Sequence, residues 1–391
     1  MPFTPTFKRF SQATLMIMLW TGLAACQPQT ATETTQNHAP TAASQPQEAA
    51  VTVTDMLDRT VTLAAPAKHI VLSEGRHIMT LGLLDQNPLS LVAAWGNDLK
   101  RYSPAAFDAL VAKFPEASKM PEVGGTSDGT FSMEATIAAK PDLVIFTLYG
   151  PPPEGLDKLD SAGIPYVFVD FFREPIKNTV PSMRMLGQLL NREAEAEAFI
   201  AYYEQHVNSM TERVQSSNHT PTVFFHLNPD GQDCCFSNGK GNMSDFIAAA
   251  GGHNIGLDKI PGAFGKLNLE YILDRNPDFY LAGGGSSVTL NGLHIGPNVA
   301  PAEAKQTLDN ILQGAGIREL KAVQKGQASG IWLFFFDTPL WFVGSEALAQ
   351  MLHPDLFPAN QADATMTELN QNFMAFPLQG TFWMNATKNE R

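Results

Sequence analysis

The chain has 391 residues, 44% of them hydrophobic and 17% charged, with a formal net charge of −13. That length exceeds what one hydrophobic core usually serves, so two lobes are expected. The acidic balance and the lack of any basic run argue against a nucleic-acid partner, although a locally basic pocket stays open.

Lys8 and Arg9 precede the apolar run ATLMIMLWTGLAAC. A short basic region, an apolar stretch too short for a comfortable span and small residues at its end describe a signal peptide over residues 1–25. Its end, Leu23-Ala24-Ala25-Cys26, resembles the bacterial lipobox. The resemblance implies cleavage before Cys26 and lipidation of its thiol and amino group, with palmitate among the acyl chains. The alternative is an ordinary signal peptide cut nearby. Gln27, where an Asp would retain the protein at the inner membrane of a Gram-negative cell, leans towards outer-membrane sorting. Residues 26–50 are mostly Gln, Thr, Ala, Pro and Glu and bury too little apolar surface to fold, so they read as a disordered tether.

Residues 51–190 read as a first α/β lobe. VTVTD and TVTL alternate about a turn at Leu57-Asp58-Arg59, which predicts a β-hairpin. Strands are expected at 69–72, 89–94, 141–148 and 165–172, with helices at 78–84, 104–114, 132–139 and 154–162 between them. Such alternation predicts a parallel sheet with helices on both faces, and ligands meet such sheets at the loops after the strands. Those loops carry Arg76 and His77, Trp95, Arg101, Tyr149, and Phe171 with Arg173. Arginine offers a planar donor fork for oxyanions, and the aromatics offer stacking area.

Residues 191–216 place Ala194, Ala198, Phe199, Tyr202, Tyr203, Val207 and Met210 at helical spacing, with Asn191 as N-cap and three glutamates in the first turns. This predicts one long helix joining two lobes. Residues 217–391 then restart the pattern with a strand at 222–227. LNLEYILDRNPDFYL repeats the order of SMEATIAAKPDLVIF in the first lobe: a helix carrying one Glu, then Pro-Asp, then a buried strand. A strand at 328–334 and a closing helix SEALAQMLHP follow, and the loops facing the cleft from this side hold His226, Asp337 and Trp341. The fold class is therefore two Rossmann-like lobes with mostly parallel sheets, one connecting helix and a cleft between. The role of the apolar segment after Pro358 is open at this level.

From about Val51 to Pro358 the chain resembles the periplasmic substrate-binding proteins of ABC importers for iron–siderophore complexes, haem and cobalamin. TDMLDRTVTLAAPAKHIV, SMEATIAAKPDLVI, GIPYVFVD, MSDFIAAAGGHNIG, LNLEYILDRNPDFYL and ALAQMLHPDLFP carry the match through their order and spacing. The resemblance implies two lobes bridged by a rigid helix, modest closure on ligand, and docking on the permease through one acidic residue per lobe. The matching positions are Glu134 and Glu270. It implies a monomer delivering cargo to an inner-membrane permease and its ATPase.

The basic and aromatic rim favours a bulky anionic chelate, a ferric siderophore, with haem or cobalamin as alternatives. In this reading Arg76, Arg101 and Arg173 neutralise the ligand while Trp95, Tyr149, Phe171 and Trp341 pack on it. Free metal is the other alternative: His77 and His226 fall in corresponding loops, but a bare-ion site needs three or four ligands and that set is not evident. No cofactor is expected beyond the lipid at Cys26. Cys234 and Cys235 are adjacent and form either a labile bridge in an oxidising compartment or two small loop residues. No HExxH, phosphate loop or GxGxxG is present (NGKGNMSD has Ser244 where the last glycine would stand), and GTSDG at residues 125–129 follows no expected strand as a nucleophile turn would, so catalysis is not expected. A lipid-anchored adhesion or scaffold protein finds no support in the repeated strands and rim arginines.

Overall fold

Alternation of apolar residues starts the fold as expected. The computed structural model describes residues 49–126, 128–230, 234–285, 292–335 and 337–386. In it, β1 (Val51–Thr54) pairs antiparallel with β2 (Thr60–Leu63), with Thr54 opposite Thr60. Asp55 organises the turn. Its Oδ1 accepts from the backbone of Leu57 and Arg59, while its Oδ2 holds the Arg59 guanidinium and the Phe168 amide. Cys26 and the residues read as leader and tether up to Glu48 lie outside the described residues.

The first half continues as β3 (Ile70–Leu72), α1 (His77–Leu81), β4 (Val92–Trp95), α2 (Asp98–Tyr102), α3 (Pro104–Lys113), α4 (Met133–Ala138), β5 (Leu143–Thr147), α5 (Leu156–Ser161) and β6 (Tyr166–Val169). The strands form a parallel sheet in the order β4-β3-β5-β6. Successive side chains go to opposite faces, and both faces are covered. Ile70, Leu72, Leu143 and Ile145 enter one buried cluster, whereas Val71, Val144, Phe146 and Phe168 enter another with Met133 and Leu159.

Next come α6 (Pro175–Leu190) and α7 (Glu193–Gln215). The long helix is thus observed, at 23 residues, or roughly 34 Å. Its start corrects one expectation. Asn191 adopts the left-handed conformation (φ 54°) that ends α6, and Arg192 precedes α7, its guanidinium on Asp85 at 2.7 Å. Helix α6 was not expected; it carries Pro181 in its interior, a residue that ordinarily interrupts helices. Pro175 instead occupies the first helical turn.

The second half comprises β7 (Thr222–Leu227), β8 (Phe236–Asn238), α8 (Met243–Ala249), β9 (His253–Asn254), β10 (Phe264–Lys266), α9 (Leu269–Arg275), β11 (Phe279–Gly284), β12 (Gly296–Pro297), α10 (Pro301–Leu312), α11 (Lys321–Gln324), β13 (Ala328–Trp332), α12 (Trp341–Leu352), α13 (Gln361–Asn372), β14 (Gly380–Thr381) and β15 (Trp383–Asn385). Its sheet runs β15-β13-β11-β7-β9, parallel except for β15. Both sheets therefore place their first strand between the second and the third. The segment after Pro358 packs on the body: α13 lies against α12, β15 adds an edge strand to β13, and the Ala375 amide donates to Gly82 of the first half at 2.9 Å. Among the described residues no helix is long and apolar enough to cross a membrane.

Candidate ligand-binding site

In an open parallel sheet the crevice lies where the first strand's two neighbours lead their loops apart. In the first half that is the end of β3 and β5, and two glycines shape it. A Cβ on Gly75 would sit 2.4 Å from the Gly96 carbonyl, and one on Gly96 would sit 2.5 Å from that of Ser73. Only glycine lets the loops after β3 and β4 cross this closely. The crossing brings Asp98, at the start of α2, onto the β3 loop. Asp98 accepts from the Gly75 amide and, at 2.6 Å, from Arg76 Nε.

Arg76 is the centre of a buried charge cluster. Its side chain is 11% exposed, and it lies 3.7 Å from Glu74 and 3.9 Å from Asp337, carboxylates that are fully buried. Its guanidinium also faces the rings of Phe334 (4.9 Å) and Tyr149 (5.8 Å). Burial opposes its charge, yet Tyr149, Asp98, Asp337 and Glu74 hold it strongly protonated. Glu74 accepts from Thr126 Oγ1 at 2.6 Å. Asp337 reaches across from the second half in a left-handed backbone (φ 54°) and accepts from the Tyr149 hydroxyl. Burial pushes the Asp337 carboxyl and the Tyr149 phenol well up, the Asp337 carboxyl against the pull of Arg76. His77 bonds Thr147 and packs at 5.9 Å from Phe171; burial and the Arg76 charge depress its pKa to about 3.

The second half offers neutral groups at the matching ends. His226, at the end of β7, stacks on Phe224 (5.3 Å) and meets the Tyr280 hydroxyl at 2.9 Å, and burial lowers its pKa to about 4. The β8–β10 ribbon presents Phe236 and Phe264, 45% and 46% exposed. Phe264 packs 5.8 Å from Phe172 of the first half, which in turn packs edge-on to Tyr149 at 4.8 Å. Gly241 (φ 86°) passes the Arg173 carbonyl so closely that a Cβ would lie 3.0 Å away.

The structure brings together Arg76, His77, Tyr149 and Asp337 and leaves the other expected residues elsewhere. Arg76 is a correction: its charge is met by carboxylates and is not held out to an anion. Trp95 (3% exposed) packs on Phe107 within the first half, and Phe171 is fully buried, so neither is a rim aromatic. Trp341 is likewise interior. It opens α12, stacks on Phe246 at 5.1 Å and donates to Thr179 of α6 at 2.9 Å. His77 and His226 make no contact with each other among the described residues. Arg101 is exposed and paired with Asp128, while Arg173 is exposed at the junction of the halves. Glu134 and Glu270 are both exposed.

Asp98 and Phe264 were missed, while Glu74 and Phe172 fell in the expected rim loops but were not singled out. Glu74 lies two residues before Arg76 in the loop after β3, and an acid flanking an arginine there was the available signal. Nothing local marks Phe264, because its neighbour Phe172 lies far away in sequence.

A family model described as "Periplasmic binding protein" matches residues 83–330. Proteins named vitamin B12-binding protein from Yersinia pestis (strain Pestoides F) and from Yersinia pseudotuberculosis serotype O:1b are 27% identical over 194 residues, covering 48% of this chain. The match spans 66% of those relatives' length, just under two thirds. Among solved structures, the TroA-like periplasmic binding protein FepB from Veillonella parvula is 24% identical with a TM-score of 0.77, covering 86% of this chain and all of that one. MolA from Haemophilus influenzae, bound to molybdate, is 18% identical with a TM-score of 0.64 over 84% of this chain and 99% of its own. An Fe3+-hydroxamate transport protein from Saccharomonospora viridis is 20% identical with a TM-score of 0.53 over 78% of this chain and 99% of its own. What these structures share with the chain is the fold.

Proposed function

The chain belongs to the periplasmic binding protein family, and from that premise we propose that it is the substrate-binding component of an ABC importer. Its cargo in this reading is a ferric siderophore, handed to an inner-membrane permease. One observation carries the choice of ligand: at the junction of the halves the exposed ring of Phe264 packs on Phe172, which packs edge-on to Tyr149, with the exposed Arg173 beside Phe172 in sequence. Aromatic faces and a guanidinium that has no ion pair among the described residues suit a bulky anionic chelate. Arg101 is exposed but neutralised by Asp128, and Arg76 holds the loop beneath rather than touching cargo. Cobalamin is the second reading, favoured by the relatives named for vitamin B12. The body is held to a membrane by lipid on Cys26, and Glu134 and Glu270 meet the permease.

Intrinsic fluorescence of the full-length chain carrying Cys26→Ser, titrated with ferric hydroxamate, ferric catecholate, ferric citrate, haem and cobalamin, tests this. Saturable quenching by one ferric chelate, weakened at least about tenfold by Arg173→Ala or Phe264→Ala, is expected. Saturation by cobalamin or haem alone would keep the importer role and replace the cargo. Incorporation of labelled palmitate into the natural chain, lost with Cys26→Ser, checks the anchor.

A further inference from the structure

The adjacent cysteines of the second half have no part in the ligand reading. Cys234 and Cys235 are joined to each other; Cys235 is fully buried and Cys234 partly so. One ligand atom from each and one from His226 all lie within 4.8 Å of one another. His226 is 5% exposed. Its Nδ1 is engaged by Tyr280, which leaves Nε2 buried and, among the described residues, without a hydrogen-bond partner. A buried imidazole nitrogen left without a partner is costly and rare, and a ligand for it resolves the cost.

We propose that reduction of the Cys234–Cys235 bridge creates a site for one Cu(I) ion, held by the two thiolates and His226 Nε2. Two sulfurs and an imidazole select a soft cation. Zinc normally takes four ligands, and the described residues offer three here, which matches a three-coordinate monovalent ion. Tyr280 fixes the ring through Nδ1, the arrangement by which metal-binding histidines are usually oriented. The chemistry balances with a dithiol reductant. It delivers two electrons and two protons to the bridge and leaves as its own disulfide; the Cu(I) then displaces both thiol protons to solvent. The bridged form has no thiolate and is closed to the ion, so the site opens only under reducing conditions.

The test uses the full-length chain with Cys26→Ser, in which Cys234 and Cys235 are the remaining cysteines. Anaerobic Cu(I) is titrated in competition with bicinchoninate before and after reduction, with the dithiol removed and thiols counted. The reduced protein should take one Cu(I) per chain and the bridged protein none. Tyr280→Phe should weaken the site about 10–100-fold, and His226→Gln and Cys234→Ser more than that. Equal uptake by both redox states, uptake indifferent to His226→Gln, or tighter retention of Zn2+ than of Cu(I) would overturn the proposal. The redox comparison needs no core substitution, so a misfolded variant does not blunt it. The result is independent of which chelate occupies the cleft.

Discussion

The two halves agree at the amino ends of their sheets and diverge at the carboxyl ends. Ser132 and Asn268 cap α4 and α9, at 3.1 Å to Ala135 N and 2.8 Å to Glu270 N. Lys140 and Asn276 end the helices in left-handed conformations (φ 51° and 44°). Asp142 then accepts from the backbone of Lys68 and His69, and Asp278 from that of Thr222, so each ties the third strand of its sheet to the first. At the other end the first half gathers Glu74, Arg76, Asp98 and Tyr149, whereas the second gathers His226, Tyr280 and two cysteines. The repeated ends build the scaffold. The divergent ends hold what distinguishes this protein, as expected where ligands meet the strands' carboxyl ends.

The largest effect should come from the charged end. Arg76→Met leaves Glu74, Asp98 and Asp337 facing one another in the interior, which should cost about 3–5 kcal/mol in urea unfolding. His226→Gln, at the matching end of the second half, loses one neutral hydrogen bond and should cost about 1–2 kcal/mol. Equal losses would erase the contrast between the halves.

Acid should separate the charged end next. His77, with a pKa of about 3 in the folded chain, returns to about 6.5 on unfolding. Between those values the unfolded state binds the extra proton. The stability His77 contributes is therefore full above pH ~6.5 and falls as the pH drops, by up to about 1.4 kcal/mol per pH unit. Asp337, raised by burial, acts in the opposite sense: its contribution is present at low pH and is lost as pH rises. His77→Gln should accordingly lose less stability than the natural chain between pH 6.5 and 4.5. Parallel curves would assign the proton to another group.

The same contrast explains what could be read from sequence. The echo of SMEATIAAKPDLVIF in LNLEYILDRNPDFYL is local, and the hairpin, the parallel strands β3 to β7, β11 and β13, α7 and the sheet type were legible, whereas the short strands β8, β9, β10, β12, β14 and β15 were not. Asn191 was assigned to the wrong helix because asparagine suits both an N-cap and a left-handed helix end. Trp341 was placed in a loop because the closing helix was read from Ser345 onward, whereas α12 starts four residues earlier in the wholly buried turn WFVG, which shows no polar face to mark it. The partners of Arg76 come from the loops after three different strands. Residue type alone marked an arginine as a ligand, while its carboxylates became visible only once the chain was folded.

A smaller effect tests the repeated ends. Asp142→Ala and Asp278→Ala should each cost about 1–2 kcal/mol, and by similar amounts, since each removes an acceptor from the backbone of a first strand. A twofold or larger disparity in urea unfolding would show that the echo is one of sequence rather than of load.

The smallest effect on stability should come from the glutamates of the same repeat, and there a functional difference can appear alone. Glu134 and Glu270 each follow a capping residue by two positions and are exposed, but Lys158 holds Glu134 at 2.6 Å and keeps its carboxyl below its usual pKa. Glu270 has no ion pair among the described residues. Alanine at either position should leave the unfolding midpoint and ligand affinity unmoved. If the two carboxylates meet the permease, each substitution should slow uptake in vesicles carrying the transporter. The loss should be greater at Glu270, whose charge is unshared. Lys158→Ala, which frees Glu134 without removing it, should then raise uptake or leave it unchanged. Uptake insensitive to all three would make these carboxylates ordinary solvated helix residues and confine the function of the repeat to its caps.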